Sequence, residues 1–316
     1  MEECLNSIQN QTLSEIEIIL INDGSTDGSK DIIHSYQERD GRIISIDKAN
    51  SGYGDSLNKG LEIASGEYIC IVESDDFIPN DFLELLYDEA ESPDVPLDII
   101  KTDYNEFNDD MNEVRHFEKR SAIKNEQYYN KVIPDVTPDL LIDVDTHNWN
   151  GLYRNSFIKE HGIRHNNSPG ASYQDTGFRF QCLTQADSIL FTHGPRYNYR
   201  VDNKSSSIHT NDSKVFAIAD EYSFVEGCLR NNESIDRYND ALDIIRYESY
   251  KWNYDHLTHD NKKKFVNRWK MELKRHKNRK NRIKPKKQAL DEWMIRNLTP
   301  GLYVRGLTIK RRLLNS

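Results

Sequence analysis

The sequence is poor in cysteine and has no long apolar run. Its four cysteines, Cys4, Cys70, Cys182 and Cys228, lie far apart without a Cys-x-x-Cys pair, so neither a zinc site nor a disulfide framework is predicted. No segment approaches the roughly 18 apolar residues that a membrane-spanning helix needs. Met1 is followed by two glutamates rather than by a basic and then an apolar segment, which argues against a secretion signal. These absences favour a cytoplasmic protein.

An excess of positive charge is concentrated in one segment near the C-terminus. The 316 residues carry a formal net charge of −10, yet Lys262 to Lys287 contains fourteen lysines and arginines and a single acid, Glu272. The rest of the chain is therefore strongly acidic, which argues against nucleic-acid binding. The basic segment is either an amphipathic helix on an anionic membrane surface or a solvated basic helix. Its apolar residues include Phe265, Val266, Trp269, Met271 and Leu273.

Strand-like and helix-like segments alternate from Glu17 to Ile100. The pattern predicts strands at 18–21, 42–46, 68–72 and 97–100, and helices at 26–39, 55–64 and 81–89. This alternation predicts an α/β fold with a mostly parallel sheet and helices on both faces. After about Tyr104 the segments become irregular and rich in aromatic residues, which either shape a ligand pocket or form ordinary core. From about Asp212 onward the sequence is mainly helical.

Three acids follow the apolar strand of residues 68–72. Glu73, Asp75 and Asp76 would lie beyond the carboxyl end of that strand, where α/β sheets usually bind ligands. Carboxylate oxygens there suit Mg²⁺ or Mn²⁺. The alternative is a simple polar turn, in which Asp76 caps the helix that Pro79 and Asp81 open.

A second candidate site residue is Asp23, which lies at the carboxyl end of the first predicted strand. Turn chemistry alone would explain the Asn22–Ser29 segment. However, Asp23 lies at the same sheet edge as Glu73 and Asp75, where a carboxylate can accept hydrogen bonds from a nucleobase imide or a ribose hydroxyl. The glycines of this segment miss the P-loop spacing by one residue, and Gly52-x-Gly54 is an incomplete dinucleotide fingerprint, so an ATPase and a dehydrogenase are disfavoured.

A third candidate is Asp175, which follows a loop of small residues beginning at Ser168. Asp175 is either a helix cap or a general base, and its spacing alone favours the cap.

Taken in order, these motifs resemble glycosyltransferase family 2 over roughly Glu2 to Ser207. The resemblance implies a GT-A fold, a nucleotide-sugar donor and inversion at the anomeric carbon. It divides the chain into a donor-binding part (1–103), an acceptor-binding part with the catalytic base (104–211) and a helical C-terminal region (212–316). The matching motifs are Asn22-Asp23-Gly24-Ser25, the series Asn50, Gly52, Tyr53, Gly54, Asn58 and Gly60, Ser65-Gly66-Glu67-Tyr68, Glu73-Ser74-Asp75-Asp76 and Gln174-Asp175.

On the donor side the resemblance implies that Asp23 contacts the nucleobase and that the Gly52 loop approaches the donor. Glu73-Ser74-Asp75 takes the place of the family's Asp-x-Asp element, so that Asp75 would hold Mn²⁺ or Mg²⁺ against the diphosphate. Glu73 would face the ribose or a metal-bound water. Arg200 and the Ser205–Ser207 loop are similar to a later segment that closes over the diphosphate.

On the acceptor side Asp175 matches the family's catalytic base, which takes a proton from the acceptor hydroxyl. Gln174 precedes it in the same motif and is expected on the acceptor side. Trp149 and Tyr153 are expected as walls of the acceptor site, because aromatic faces stack on sugar rings.

Two departures from the family pattern stand out. Glu73 replaces the family's first Asp and has a longer side chain. The family also begins with an apolar strand, whereas this chain starts in the following helix at Glu2. We therefore expect reduced stability and weak donor binding, because the neighbours of a missing strand expose backbone N–H and C=O groups that would otherwise pair with it.

The sequence thus predicts a metal-dependent inverting hexosyl- or N-acetylhexosaminyltransferase. The expected donor is UDP-linked, and the expected acceptor is a glycan or a lipid-linked glycan in cell-surface or exopolysaccharide synthesis. The expected location is cytoplasmic, with peripheral attachment at the inner face of the membrane through Lys262 to Lys287. The main alternative is a non-catalytic nucleotide-sugar or glycan-binding module. A nucleotidyltransferase is disfavoured, since no Gly-rich basic loop is visible.

Overall fold

The chain folds into two compact units. The computed structural model describes residues 1–92, 96–109, 114–203, 214–275, 285–305 and 307. The first unit is Met1–Ser205 and the second is Ser206–Ser316. The expected boundary at 211/212 lies outside the described residues. The expected division at 103/104 falls inside a strand, Ile99–Asp109, so both parts of the first unit share one sheet.

The first unit alternates strands and helices. Its strands are β1 (Ile18–Asp23), β2 (Ile43–Lys48), β3 (Tyr68–Cys70), β4 (Ile99–Asp109), β5 (Arg115–Arg120), β6 (Gly151–Arg154) and β7 (Ile189–Arg200). Its helices are α1 (Glu2–Gln9), α2 (Ser29–Gln37), α3 (Tyr53–Ile63), α4 (Phe82–Glu91), α5 (Pro138–Asp143), α6 (Asn155–Glu160) and α7 (Gln174–Gln185). The elements predicted between Glu17 and Ile100 are all present within a few residues of the expected bounds, except that the strand predicted at 97–100 begins at Ile99 and continues to Asp109.

The strands form two sheets. β1 and β2 pair in parallel, from Ile18 opposite Ile43 to Asp23 opposite Lys48. The second sheet has the order β3-β6-β4-β5, and β7 also pairs with β4, in parallel. β6 is antiparallel to both β3 and β4, and β5 is antiparallel to β4. The α/β class is confirmed, but the larger sheet is mixed, because β5 and β6 return antiparallel to β4.

Each of the two sheets has an edge strand with one side that pairs with no other strand among the described residues. These edges are the side of β1 opposite β2 and the side of β3 opposite β6. Three consecutive apolar residues of β1, Ile19 to Ile21, are only partly buried, as is all of β3. Helix α1 touches both sheets, since Leu5 packs in the cluster that contains Ile18 and the Cys4 thiol donates to the Glu73 carbonyl at 3.3 Å. Both edges therefore carry backbone groups that no described strand pairs.

We predict that a version extended upstream by a strand-forming segment unfolds at a higher temperature than this chain. The added strand would pair with exposed ladder groups and bury apolar side chains. Each kcal/mol gained should raise the melting temperature by roughly 2–4 °C at this domain size. Calorimetry of both versions measures the shift. An extension with alternating prolines, which cannot complete a ladder, is the control, and equal melting temperatures for both extensions would contradict the prediction.

The second unit is helical, as predicted. Its helices are α8 (Ala217–Asn231), α9 (Ile235–His256), α10 (His259–Arg275) and α11 (Lys286–Asn297), and helical residues continue over 300–305. Tyr250 of α9 is central to the packing of this unit, since the Tyr250 ring contacts those of Tyr222, Phe265 and Trp269. None of the described helices is apolar over a length that would cross a bilayer.

The apolar stripe of α10 packs inside this unit. Phe265, Val266, Trp269 and Leu273 are buried, and only Met271 of the five apolar residues singled out in the sequence is exposed. The structure therefore argues against the alternative in which this stripe lies on a membrane, because the unit's own core already covers it.

Candidate active site

The turn after β3 is tied to β7 by Asp76. This residue is 1% exposed, and its carboxylate accepts hydrogen bonds from the Tyr197 hydroxyl and the Arg200 backbone N–H, both at 2.8 Å. Burial raises the pKa of Asp76 to about 8. Asp76 does not cap α4, whose N-cap residue is Asp81. Its role is to hold the turn that presents Glu73 and Asp75.

Glu73 is partly buried and engaged by a tyrosine. The Tyr53 hydroxyl donates to Glu73 Oε1 at 2.5 Å, and the Glu73 backbone N–H donates to the Tyr197 hydroxyl oxygen at 3.0 Å. Burial raises the pKa of Glu73 to about 7. The Tyr53 hydrogen bond opposes this shift, and the charges of Asp75 and Asp175 add to it. The charge of Glu73 is thus repelled by both Asp75 and Asp175.

Asp75, like Glu73, is partly buried. Its Oδ2 accepts from the Asn203 side chain at 2.7 Å, and its backbone carbonyl accepts from Arg200 Nε at 3.1 Å. Within the described ranges, no three His, Cys, Asp or Glu side chains come together in a group that could hold a metal. A divalent cation still fits, because Asp75 offers hard oxygen donors and a cation would offset the charge shared with Glu73 and Asp175. Its remaining ligands would come from a bound molecule and water.

Arg200 lies beside Asp75. Its guanidinium also pairs with Asp109 at 2.9 Å and with Glu3 at 3.1 Å, and it stacks over the Phe107 ring at 4.5 Å. Arg200 is thus held next to Asp75 by other acids. The Ser205–Ser207 loop predicted to accompany it lies outside the described residues.

Asp23 and Gly52 form a second part of the site. The Asp23 carboxylate pairs with the Lys48 ammonium and accepts from the backbone N–H groups of Ser51 and Gly52 at 2.8 and 2.9 Å. Burial would raise the pKa of Asp23, but these contacts outweigh it and lower the pKa overall. In this structure Asp23 therefore fixes the turn that begins α3.

Gly52 brings that turn against the loop that leads to Asp175. Its φ of +103° is a conformation that favours glycine. A Cβ at this position would lie 2.8 Å from the Ser168 carbonyl oxygen and 2.9 Å from the Gly170 nitrogen. The next residue, Tyr53, donates its backbone N–H to the Gly170 carbonyl at 3.0 Å. Gly52 thus allows two motifs far apart in sequence to meet.

Helix α3 continues this contact along the 165–170 segment. The Asn58 side chain donates to the His165 carbonyl at 2.9 Å and accepts from the His165 backbone N–H at 2.8 Å. A Cβ on Gly54 would lie 2.1 Å from the Asn166 carbonyl oxygen. The glycine and asparagine spacing of this motif therefore reflects close packing of α3 against the 165–170 segment.

Asp175 lies in the first turn of α7. The N-cap residue is Tyr173, with a left-handed φ of 65°, so Asp175 does not occupy the cap position. Its Oδ1 accepts from the Thr176 backbone N–H at 2.9 Å. Burial raises the pKa of Asp175, and the charges of His147 and Arg179 partly oppose that shift. A carboxylate with a raised pKa is a better base than an ordinary one, which suits proton abstraction.

Gln174 is buried and holds the loop in front of Asp175. Its amide group donates to Ser168 Oγ at 2.8 Å and to the Gly170 carbonyl at 3.1 Å, and it accepts from the Ser172 backbone N–H at 2.6 Å. These contacts favour a role in loop structure over direct acceptor binding.

The two predicted acceptor walls are core residues. Trp149 is 4% exposed and stacks on Tyr197, with ring centroids 4.3 Å apart, and Tyr153 is 3% exposed and meets the Phe178 ring edge-on. Because protein atoms cover these rings, the structure argues against the predicted stacking of Trp149 and Tyr153 on a sugar.

The structure adds residues that the sequence reasoning missed. His147 and Tyr199 are more exposed than Trp149 and lie against its ring at 4.4 and 5.1 Å. Asn148 donates to the Tyr53 hydroxyl oxygen at 3.4 Å and contacts His165 Nε2 at 3.2 Å. A partly buried network of contacts thus runs from His165 through Asn148 and Tyr53 to Glu73. Only the position of Tyr53 within the glycine motif could have indicated it.

The fold is that of a GT-A type glycosyltransferase. The structure is similar to the crystal structure of Staphylococcus aureus TarS 1-349 in complex with UDP-GlcNAc, with a TM-score of 0.67 and 16% identity over 98% of this chain and 87% of that chain. The profile of glycosyl transferase family 2 matches residues 1–157. The chain belongs to glycosyltransferase family 2.

Two relatives from Bacillus subtilis (strain 168), both described as glycosyltransferases, agree with this assignment. EpsH is 30% identical over 246 residues, which cover 77% of this chain and 69% of EpsH. EpsJ is 30% identical over 211 residues, which cover 65% of this chain and 58% of EpsJ. The similarity therefore spans part of each relative's length.

Proposed function

We propose that this chain is an inverting glycosyltransferase that moves a hexosyl or N-acetylhexosaminyl group from a UDP-linked donor. The acceptor is a glycan or lipid-linked glycan of cell-surface or exopolysaccharide synthesis. The observation that carries the proposal is the link that Tyr53 makes between Glu73, after β3, and the loop that leads to Asp175, because its hydroxyl donates to Glu73 Oε1 at 2.5 Å and its backbone N–H donates to the Gly170 carbonyl at 3.0 Å. The UDP-GlcNAc complex of TarS, a protein of the same fold, supports the choice of nucleotide.

On the donor side, Asp75 would hold Mn²⁺ or Mg²⁺. The cation would neutralise charge that develops on the leaving diphosphate. Arg200 is held close enough to Asp75 to contribute a second positive charge. Asp23 and the turn at Gly52 would border the nucleobase, and Glu73 would orient the ribose through the carboxylate that Tyr53 holds.

On the acceptor side, Asp175 would accept the proton of the attacking hydroxyl. The oxygen would attack the anomeric carbon from the face opposite the diphosphate, so the configuration would invert in one step. His147 and Tyr199 are the aromatic candidates for the acceptor side, because they are less covered than Trp149.

We predict that Tyr53→Phe lowers kcat for transfer roughly 10- to 100-fold, because losing a hydrogen bond to a charged group costs about 1.5–3 kcal/mol and each 1.4 kcal/mol is tenfold in rate. Donor kinetics and a melting curve measure the effect. The control is Tyr68→Phe, which removes a tyrosine hydrogen bond to Glu91 at 3.0 Å outside the site. Equal activity of the two variants would refute a positioning role for Tyr53.

The alternative is a nucleotide-sugar or glycan-binding module without turnover. The uncovered edges of β1 and β3 favour it, because they border the donor side and would weaken donor binding.

The test is a nucleotide-release assay with UDP-, GDP- and dTDP-sugars, with and without Mn²⁺. We expect cation-dependent release from one or more UDP-sugars. Release from another nucleotide alone would overturn the choice of UDP. Calorimetric binding of UDP-sugar without release, in the presence of candidate acceptors, would favour the binding module.

A further inference from the structure

The outer face of α11 exposes large apolar side chains beside lysines. Gln288, Asp291, Glu292 and Ile295 form its buried face. On the other side, Leu290 is 56% exposed and Trp293 is 60% exposed. Lys286 and Lys287 are exposed in the turn before them. The three-residue spacing of Leu290 and Trp293 places them next to each other on the helix surface.

The acids of α11 are turned inward and paired. Asp291 accepts from the Tyr247 hydroxyl at 2.7 Å and pairs with Lys251 at 3.4 Å. Glu292 accepts from the Gln288 side chain at 2.9 Å. These carboxylates therefore do not offset the lysines on the outer face.

Helix α10 repeats this arrangement and is a neighbour of α11, since Lys270 Nζ donates to the Leu298 carbonyl just after α11 at 2.8 Å. Glu272 is buried and accepts from the Tyr250 hydroxyl at 2.7 Å. The exposed acid of the two helices is Asp260, at the start of α10, where it pairs with Lys263. The exposed residues of α10 at helical spacing include Lys264, Met271, Lys274 and Arg275.

We propose that these two outer faces dock on an anionic lipid bilayer. We call them the basic-apolar surface, formed by Lys264, Met271, Lys274, Arg275, Lys286, Lys287, Leu290 and Trp293. The cations would contact anionic headgroups. Trp293 and Leu290 would enter the interfacial layer, where tryptophan is favoured because one end of its ring system is apolar and the other is polar.

The apolar residues distinguish a bilayer from other polyanions. A nucleic acid or a soluble polyanionic glycan would attract the cations but would leave Leu290 and Trp293 in water, whereas a bilayer accommodates both. The docking residues also differ from the sequence expectation, because the stripe of α10 built on Phe265 and Trp269 is already used in the core.

The test is sedimentation of the whole chain with two kinds of vesicle, one of phosphatidylcholine and one of equal parts phosphatidylcholine and phosphatidylglycerol. We expect binding to the second kind only. The double variant Leu290→Ser/Trp293→Ala should bind about tenfold more weakly, because it removes most of the apolar area that enters the layer. Its melting temperature should be unchanged, since both side chains are exposed.

Matched controls separate the surface from general effects. Trp252→Ala changes another partly exposed tryptophan and should bind normally. Lys286→Gln/Lys287→Gln should weaken binding, whereas Lys124→Gln/Lys131→Gln, with the same charge change in the first unit, should not. Trp293→Phe should still bind but lose the blue shift of tryptophan emission.

Two outcomes would overturn the proposal. One is equal sedimentation with both kinds of vesicle. The other is binding that needs Lys286 and Lys287 but is unaffected by Leu290→Ser/Trp293→Ala and is competed by soluble heparin, which would indicate a polyanion site. Neither outcome bears on donor turnover, so this test stands apart from that of the glycosyltransferase activity.

Discussion

Asp175→Asn is expected to abolish measurable sugar transfer while leaving binding of the nucleotide sugar unchanged. Asparagine keeps the shape of the side chain but cannot accept the proton of the attacking hydroxyl. Loss of a general base typically lowers the rate about 10²–10⁴-fold. Initial rates of nucleotide release in the presence of acceptor measure kcat, and calorimetry with UDP-sugar and Mn²⁺ measures donor binding.

The pKa of Asp175 adds a pH dependence to this prediction. Burial raises that pKa, and the base works only when it is deprotonated. Wild-type activity should therefore fall on the acid side at a higher pH than an ordinary aspartate would give. Burial also makes the ionised form costly in the folded state, so Asp175→Asn should melt no lower than the wild type near neutral pH.

The control is Asp187→Asn, an exposed aspartate just after the same helix. It should leave both activity and the pH profile unchanged. Retained transfer by Asp175→Asn, at rates near those of the control, would remove Asp175 as the base.

Asp75→Ala is expected to remove cation-dependent donor binding. In the proposed site Asp75 is the direct protein ligand of the cation, whereas Tyr53 holds the carboxylate of Glu73. Loss of groups that merely support a metal ligand costs about 10–100-fold in metal affinity, so loss of the ligand should cost at least about 100-fold. Titration of UDP in the presence of Mn²⁺, and of Mn²⁺ alone followed by electron paramagnetic resonance, measures both affinities.

Asp88→Ala, at an exposed position of α4, is the matched control and should bind as the wild type does. The two predictions also separate the roles of the acids, because Asp175→Asn should retain donor binding and Asp75→Ala should lose it. Unchanged Mn²⁺ dependence in Asp75→Ala would contradict its role as a ligand.

The sequence predicted the first half of the fold well, because there the information is local. β1 to β3 and α2 to α4 follow directly from alternating apolar patterns. β5, β6 and β7 were not predicted, since their pairing depends on distant residues, as where Ile99 of β4 lies opposite Ile189 of β7. For the same reason the mixed character of the larger sheet was not visible in the sequence.

The candidate site shows the same contrast between local patterns, which the sequence reveals, and contacts with distant residues, which it does not. The order of motifs indicated that Glu73, Asp75 and Asp175 belong together, and in the structure the charges of Asp75 and Asp175 both act on Glu73. Exposure could not be read from the motifs. Trp149 is covered by Tyr197, which lies far along the chain, so an aromatic residue chosen for its type became a core residue.

In the proposed mechanism, sugar transfer is a single-step displacement in which Asp175 activates the attacking oxygen. The most direct test is proton NMR of the sugar first formed from a UDP-α-linked donor, with the acceptor or, in its absence, with water. The predicted product has the β configuration, because the attack comes from the face opposite the diphosphate. A first-formed α product would contradict an inverting, single-step displacement.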